Sequence, residues 1–189
     1  MKFPAIFLDR DGTINHDPGY IGNPDIIELL PGAGEAIAML KNYLGFKLIV
    51  ISNQSGVSRG IMSEADVVLV NERLNELLSR YGATIDHFYF CPFHPEFSPA
   101  EKCGCRKPSP ELVLKAAETH SIDLSESYFI GDTANDIRCG KRAGLKTILV
   151  RTGYGTDHEK NHLTTDDIPN YIAENLLEAA KFIQTDINA

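Results

Sequence analysis

Asp9 and Asp11 stand two residues apart in the run Asp9-Arg10-Asp11-Gly12-Thr13. An Asp-Gly pair favours a tight turn whatever its function, so a turn alone accounts for part of this run. Two carboxylates on one short loop also repel each other, and a cation relieves that repulsion. Mg²⁺ suits the position because it prefers oxygen ligands and works beside phosphate groups. With the charges screened, Asp9 can attack phosphorus to form an aspartyl-phosphate. Asp11 can protonate the departing alkoxide, then take a proton from the water that resolves the intermediate. Thr13 is expected to hydrogen-bond within the loop.

Three more polar clusters bear on the same chemistry. Ser52-Asn53-Gln54-Ser55-Gly56 reads either as a polar loop or as a hydroxyl with adjacent backbone N–H groups that bind phosphoryl oxygens. In Arg106-Lys107-Pro108, Lys107 can neutralise Asp9 and a phosphate, while Arg106 can grip substrate oxygens with two parallel hydrogen bonds. Gly131-Asp132-Thr133-Ala134-Asn135-Asp136 offers Asp132 as a further Mg²⁺ ligand, with Asp136 either joining it or capping the following helix.

Short apolar runs alternate with segments of helical periodicity, the pattern of a parallel sheet covered by helices. Strands are expected over Ala5–Leu8, Phe46–Ile51, Asp86–Phe90, Tyr128–Ile130 and Thr147–Val150. Helices are expected over Gly34–Asn42, over Glu64–Tyr81 behind an N-cap at Ser63, and over Pro110–His120 behind an N-cap at Ser109. Two more are expected over Asp136–Ala143, stopped at Gly144, and over Ile172–Phe182. Each polar cluster then follows a strand. In a doubly wound α/β sheet the carboxyl ends of the strands share one edge, where ligands bind. Four separate segments are therefore expected to converge on one crevice.

The 189 residues fit one domain, 1–189, without a large cap. No apolar run approaches the roughly 20 residues of a membrane helix, and the start Met1-Lys2-Phe3-Pro4 lacks a signal peptide's long apolar stretch. A soluble, cytoplasmic protein that contacts neither membrane nor nucleic acid is the expectation. The net charge of −8 opposes the counterion replacement that nucleic-acid binding requires. Cys91, Cys103 and Cys105 cluster with His94, and in a reducing compartment three thiols and an imidazole point to a structural, four-coordinate Zn²⁺, with a loop of reduced thiols or a disulfide as the alternative. Such a zinc loop would fold the segment carrying Arg106 and Lys107. Cys139 reads as core, His87 and His120 as structural, and His158 and His162 as solvated.

Taken in order, Asp9-x-Asp11-Gly12-Thr13, Ser52, Lys107 and Gly131-Asp132-x₃-Asp136 resemble the four motifs of haloacid dehalogenase-type phosphatases, over residues 5–150. The resemblance implies a Rossmann-like parallel sheet with helices on both faces. It also implies Asp9 as nucleophile, Asp11 as acid and base, and Mg²⁺ held by Asp9, Asp132 and the Asp11 carbonyl. Finer matches at Gly19-Tyr20, Asn53–Gly56 and Cys103-x-Cys105-Arg106-Lys107-Pro108 are similar to the branch that removes the 7-phosphate of heptose bisphosphates, with histidinol-phosphate phosphatases close by. That branch implies that Asp17, Pro18, Gly19 and Tyr20, Ser52, Asn53, Gln54 and Ser55, and Arg106 and Lys107 contact a sugar bisphosphate; a monomer is the separate expectation. The sequence departs from it twice. Phe93 occupies the usual ligand-histidine position, leaving His94 as substitute, and Thr133 stands where lysine is common. A non-catalytic phosphate-binding protein is the alternative from another class.

Overall fold

The computed structural model describes residues 2–189. Its centre is a six-stranded sheet in the order β3-β2-β1-β4-β5-β6, with every neighbouring pair parallel. The strands are β1 (Ala5–Leu8), β2 (Lys47–Asn53), β3 (His87–Cys91), β4 (Tyr128–Gly131), β5 (Lys146–Val150) and β6 (Tyr171–Ala173). β1 is covered on both faces, so all four of its residues are buried.

Alternation along the strands sorts side chains between two cores. Ile6, Leu8, Leu48, Val50, Tyr128, Ile130, Ile148 and Val150 face one side. There they meet helices α1 (Ala33–Ala38), α2 (Glu64–Ser79) and α6 (Leu176–Asp186). Ala5, Phe7, Ile49, Ile51 and Phe129 face the other, against α3 (Glu111–His120) and α4 (Ala134–Arg142). The expected two-sided covering is therefore present.

α2 begins at a complete capping box, in which Ser63 Oγ accepts from the Asp66 backbone N–H and the Asp66 carboxylate accepts from the Ser63 N–H. Before α3, Ser109 Oγ accepts from the Glu111 N–H, although the residue in the N-cap position is Pro110. α1 is shorter than expected and passes into a π-helical turn over Met39–Tyr43.

The C-terminal region differs most from expectation. A short helix, α5 (Gly155–Asn161), occupies the polar stretch after β5. Ile172 lies in β6 and not in the last helix, because Tyr171–Ala173 pairs in register with Ile148–Val150. α6 starts only after Asn175, whose side chain accepts from the Glu178 N–H. A three-residue strand is too short for alternation to distinguish it from the helix beyond.

Among the described residues no helix is long and apolar enough to cross a membrane.

α4 approaches the sheet at Gly140, where an added Cβ would lie 2.6 Å from Thr147 Cγ2 and 2.8 Å from Phe129 Cβ. Gly140→Ala is expected to destabilise the protein by about 1–3 kcal/mol through overpacking. Urea unfolding measures this, and an unchanged midpoint would contradict the close packing.

Candidate active site

The strand order reverses between β1 and β4, which is where an α/β sheet opens a crevice beyond its carboxyl ends. A cavity of about 460 Å³ lies there. It is lined by Asp9, Asp11, Asp17, Gly19 and Tyr20 after β1, by Asn53 at the end of β2 and Gln54 just after it, by Arg106 and Lys107, and by Asp132, Thr133, Asn135 and Tyr154. The four expected segments do converge. Pro18, Ser52 and Ser55 are not among the lining residues. Ser52 is buried in β2.

Lys107 is the buried hub. Its Nζ lies 2.8 Å from Asp9 Oδ1 and 2.7 Å from Asp136 Oδ1, and it donates to the Ile51 carbonyl at 2.8 Å. Asn53 fixes the lysine's backbone from β2: its Oδ1 accepts from the Lys107 N–H, and its Nδ2 donates to the Lys107 carbonyl. Burial opposes charge on the lysine, but Asp136 and Asp9 outweigh that and raise its pKa. Asp9 is pushed up to about 7, by burial above all, with Asp136 and Asp11 adding to the rise and Lys107 opposing it. Asp132 rises well above the usual carboxylate range, through burial first and then through Asp9 and Asp136.

Asp9, Asp132 and Asp136 each present an oxygen within 4.8 Å of the others. Asp132 Oδ2 accepts from the Tyr154 N–H at 2.9 Å, whereas its Oδ1 is buried without a hydrogen-bond partner. A buried carboxylate oxygen left bare within a trio of acids fits a hard divalent cation. Gly12, at φ +77°, permits this packing, since a Cβ there would lie 2.2 Å from Asp132 Oδ2.

The Asp11 carboxylate is not part of that trio. Arg10, itself fully buried, pairs with it through Nε and Nη2, each at 3.0 Å. Asn15 Nδ2 and Gln54 Nε2 donate to it as well, at 2.9 and 3.0 Å. Thr13 departs from expectation: its Oγ1 is buried and unpartnered, because backbone bonds from Ile14 and Asn15 to the Arg10 carbonyl close the loop instead.

The expected zinc donors do not meet at one point. Cys91 and Cys105 are joined as a disulfide, which uses two of the three thiols. Cys103 Sγ lies against the Pro99 carbonyl, and His94 Nδ1 accepts from the Glu96 N–H. The tetrahedral set is replaced here by a covalent closure of the loop, with Cys103 left as a free thiol. Cys139 is buried as expected and donates to the Ser109 carbonyl. His158 is not simply solvated, for its Nδ1 accepts from the Ala134 N–H at the start of α4.

The family model described as HAD-hyrolase-like matches residues 104–179. The D-glycero-D-manno-heptose-1,7-bisphosphate 7-phosphatase of Chlorobaculum tepidum is 42% identical over 186 residues, covering 93% of this chain and 91% of that protein. The chain belongs to the haloacid dehalogenase-like hydrolases. The D-glycero-beta-D-manno-heptose-1,7-bisphosphate 7-phosphatase of Yersinia pestis is also 42% identical, over 81% of this hydrolase and 83% of its own length. Among solved structures, the D,D-heptose 1,7-bisphosphate phosphatase from B. bronchiseptica, complexed with magnesium and phosphate, superposes with a TM-score of 0.85. It is 28% identical and covers 97% of this hydrolase and 99% of that chain.

Two residues of the hydrolase's site carry more than the sequence disclosed. Arg10 also donates from Nη1 to Asn71 Oδ1, tying the acidic loop to α2. Asp136 both caps α4 with Thr133 and pairs with Lys107. The Thr133-x-x-Asp136 spacing signals the cap, but the partnership with Lys107 is set by tertiary structure alone.

The raised pKa values of Asp9 and Asp132 have a definite thermodynamic sign. Between the ordinary aspartate range and about 7 the folded protein holds more protons than the unfolded chain, so in the absence of a cation these groups reduce stability as pH rises. In EDTA, Asp132→Asn is expected to gain about 1–3 kcal/mol on the wild type between pH 5 and pH 8. Millimolar Mg²⁺ is expected to reverse that gain. Urea melts across the pH range measure it, and a difference independent of pH would contradict the burial argument.

Proposed function

We propose that this hydrolase removes the 7-phosphate of D-glycero-D-manno-heptose 1,7-bisphosphate through an aspartyl-phosphate on Asp9. One observation carries the reading: a trio of acids beyond the strand ends, two of them paired with Lys107, stands at the cavity that Arg106 lines. The names of the relatives support the substrate. Asp9, Asp132 and Asp136, with the Asp11 carbonyl, are the groups assigned to Mg²⁺, which lowers the charge on the acids and on the phosphoryl oxygens.

Both contacts of the Asp9 carboxylate, from Lys107 Nζ and the Arg10 N–H, fall on Oδ1. Oδ2 is accordingly assigned as the attacking oxygen. Its bond to phosphorus forms as the bond from phosphorus to the sugar oxygen breaks, and a proton from Asp11 neutralises the alkoxide. Asp11 then accepts a proton from the water that cleaves the aspartyl-phosphate, so the net reaction is hydrolysis. Arg10, Asn15 and Gln54 all donate hydrogen bonds to the Asp11 carboxylate, which holds it in place for the second step. Donation in the first step requires the side chain to leave them. Lys107, which lines the cavity, is assigned to the transferring phosphoryl oxygens. Arg106 and the Asp17, Pro18, Gly19 and Tyr20 loop are assigned to the rest of the sugar bisphosphate.

The reading extends to a single-domain, cytoplasmic monomer. It also holds that in the reduced protein the loop carries a structural Zn²⁺ on Cys91, Cys103, Cys105 and His94. Support for the metal comes from donor chemistry: three thiols and an imidazole share one loop, and the Cys91 and Cys105 sulfurs are already adjacent.

Asp9→Asn is expected to lose about 10³-fold or more in kcat, as removal of a nucleophile does. Activity is expected to disappear in EDTA and return with Mg²⁺. Phosphate release from heptose bisphosphate and from histidinol phosphate measures both points, and undiminished turnover by Asp9→Asn would sink the mechanism. For the loop, protein purified under reductant is expected to hold one Zn²⁺ per chain by elemental analysis, and His94→Ala less. Metal-free reduced protein would exclude the zinc site.

A further inference from the structure

Helix α2 carries a polar residue within its buried stripe. Val67, Val70, Leu74 and Leu78 follow the spacing of a core-facing helix, and Asn71 lies among them, 6% exposed. Asparagine is a weak helix former, and its amide is costly to bury without partners, so neither propensity nor apolar packing accounts for it there. Its Oδ1 accepts from Arg10 Nη1 at 2.9 Å, across 61 residues of chain.

Arg10 is in turn committed to Asp11. Nε donates to Asp11 Oδ1 and Nη2 to Asp11 Oδ2, each at 3.0 Å, so the carboxylate fills one edge of the guanidinium. Asn15 Nδ2 adds a second donor to Oδ1, and Gln54 Nε2 adds one to Oδ2. The third nitrogen of the guanidinium, Nη1, goes to Asn71. Arg10 has no exposed surface, so its hydrogen bonds are made to these side chains and not to bulk water. Asp11 lines the cavity; Asn71 does not, and borders a separate groove between α2 and β3.

We propose that Asn71 is a positioning residue for Asp11, acting through Arg10. This rests on the reading of Asp11 as acid and base given above. Asp11 leaves its donors to protonate the alkoxide and returns to them to take a proton from water. While it is away, Nε and Nη2 of Arg10 lack their partner, and the Asn71 amide is the hydrogen bond that keeps the guanidinium in place. The carboxylate then comes back to the same two parallel hydrogen bonds. Misplacing a reacting group by about 1 Å costs on the order of 10²-fold in rate, which sets the scale for losing such an anchor.

The test compares two substrates that differ in what they ask of the acid. The alkoxide leaving heptose 1,7-bisphosphate needs the Asp11 proton, whereas p-nitrophenolate departs without one. Single-turnover rapid-quench measurements give the rate of aspartyl-phosphate formation from each, as release of sugar phosphate or of p-nitrophenol. Asn71→Leu is expected to slow formation from the bisphosphate about tenfold or more, and formation from p-nitrophenyl phosphate less than about threefold. Asn71→Asp, which keeps an acceptor of the same shape for Arg10, is expected to stay within about threefold of wild type on both. Melting temperatures check folding. If Asn71→Leu melts below the assay temperature, Asn71→Ala, which opens Arg10 to water from the groove, is held to the same expectation. Asp11→Asn is the control and is expected to show the same split between substrates, enlarged. Given that split, equal slowing of both substrates by the Asn71 variant, no slowing, or no recovery in Asn71→Asp would overturn the positioning role. Absence of the split in Asp11→Asn would instead overturn the acid role of Asp11 itself.

Discussion

A single ammonium group, buried between two carboxylates, sets the conditions for the rest of the site. Lys107 sits where Asp9 and Asp136 would otherwise repel each other at the floor of the cavity. Removing one partner from such a cluster leaves uncompensated charge, which is far more costly than the loss of a surface pair. The neighbouring structure is built to keep the lysine there. Asn53 clasps its backbone through both amide atoms, and the Ile51 carbonyl takes a hydrogen bond from Nζ. The position of the loop after β3 therefore depends on β2 as well as on its own cysteine link.

A division of labour follows among the acids. Asp11 is surrounded by donors, from Arg10, Asn15 and Gln54. Asp9 and Asp132 lie in a drier setting that favours their protonated forms until positive charge is supplied. Two carboxylates on one short loop thus acquire different tasks from their surroundings, with no difference in chemical type.

Much of this was legible in the residues. The apolar runs located β1 to β5 to within two residues of their ends, and the polar clusters after them located the cavity. What escaped had little local signal. β6 is three residues long, and α5 is polar with no apolar stripe. Arg10 sits between two acids, and nothing in the local sequence marks its burial against Asn71. The partners of Asp136 and His158 come from distant parts of the chain, which spacing along the sequence does not encode. The cysteine cluster was visible as a cluster, but ligand spacing does not distinguish a thiol pair that bonds to itself from one that bonds to a metal.

The placement of β1 in the middle of the sheet has a bearing on synthesis. Its neighbours are β2 on one side and β4 on the other, and the loop beyond it is clasped by Thr152 Oγ1 donating to the Gly12 carbonyl, 140 residues away. A ribosome adding roughly 5–20 residues per second needs on the order of ten seconds between making Asp9 and making Thr152. During that interval β1 can pair with β2 but shows an open apolar edge where β4 belongs, a template for unwanted strand pairing. The same arrangement keeps the acids of the first loop apart from Asp132 and Asp136 until the sheet is almost complete. Catalytic competence is thus one of the last properties the nascent chain acquires, and chaperone protection matters most to it before β4 emerges.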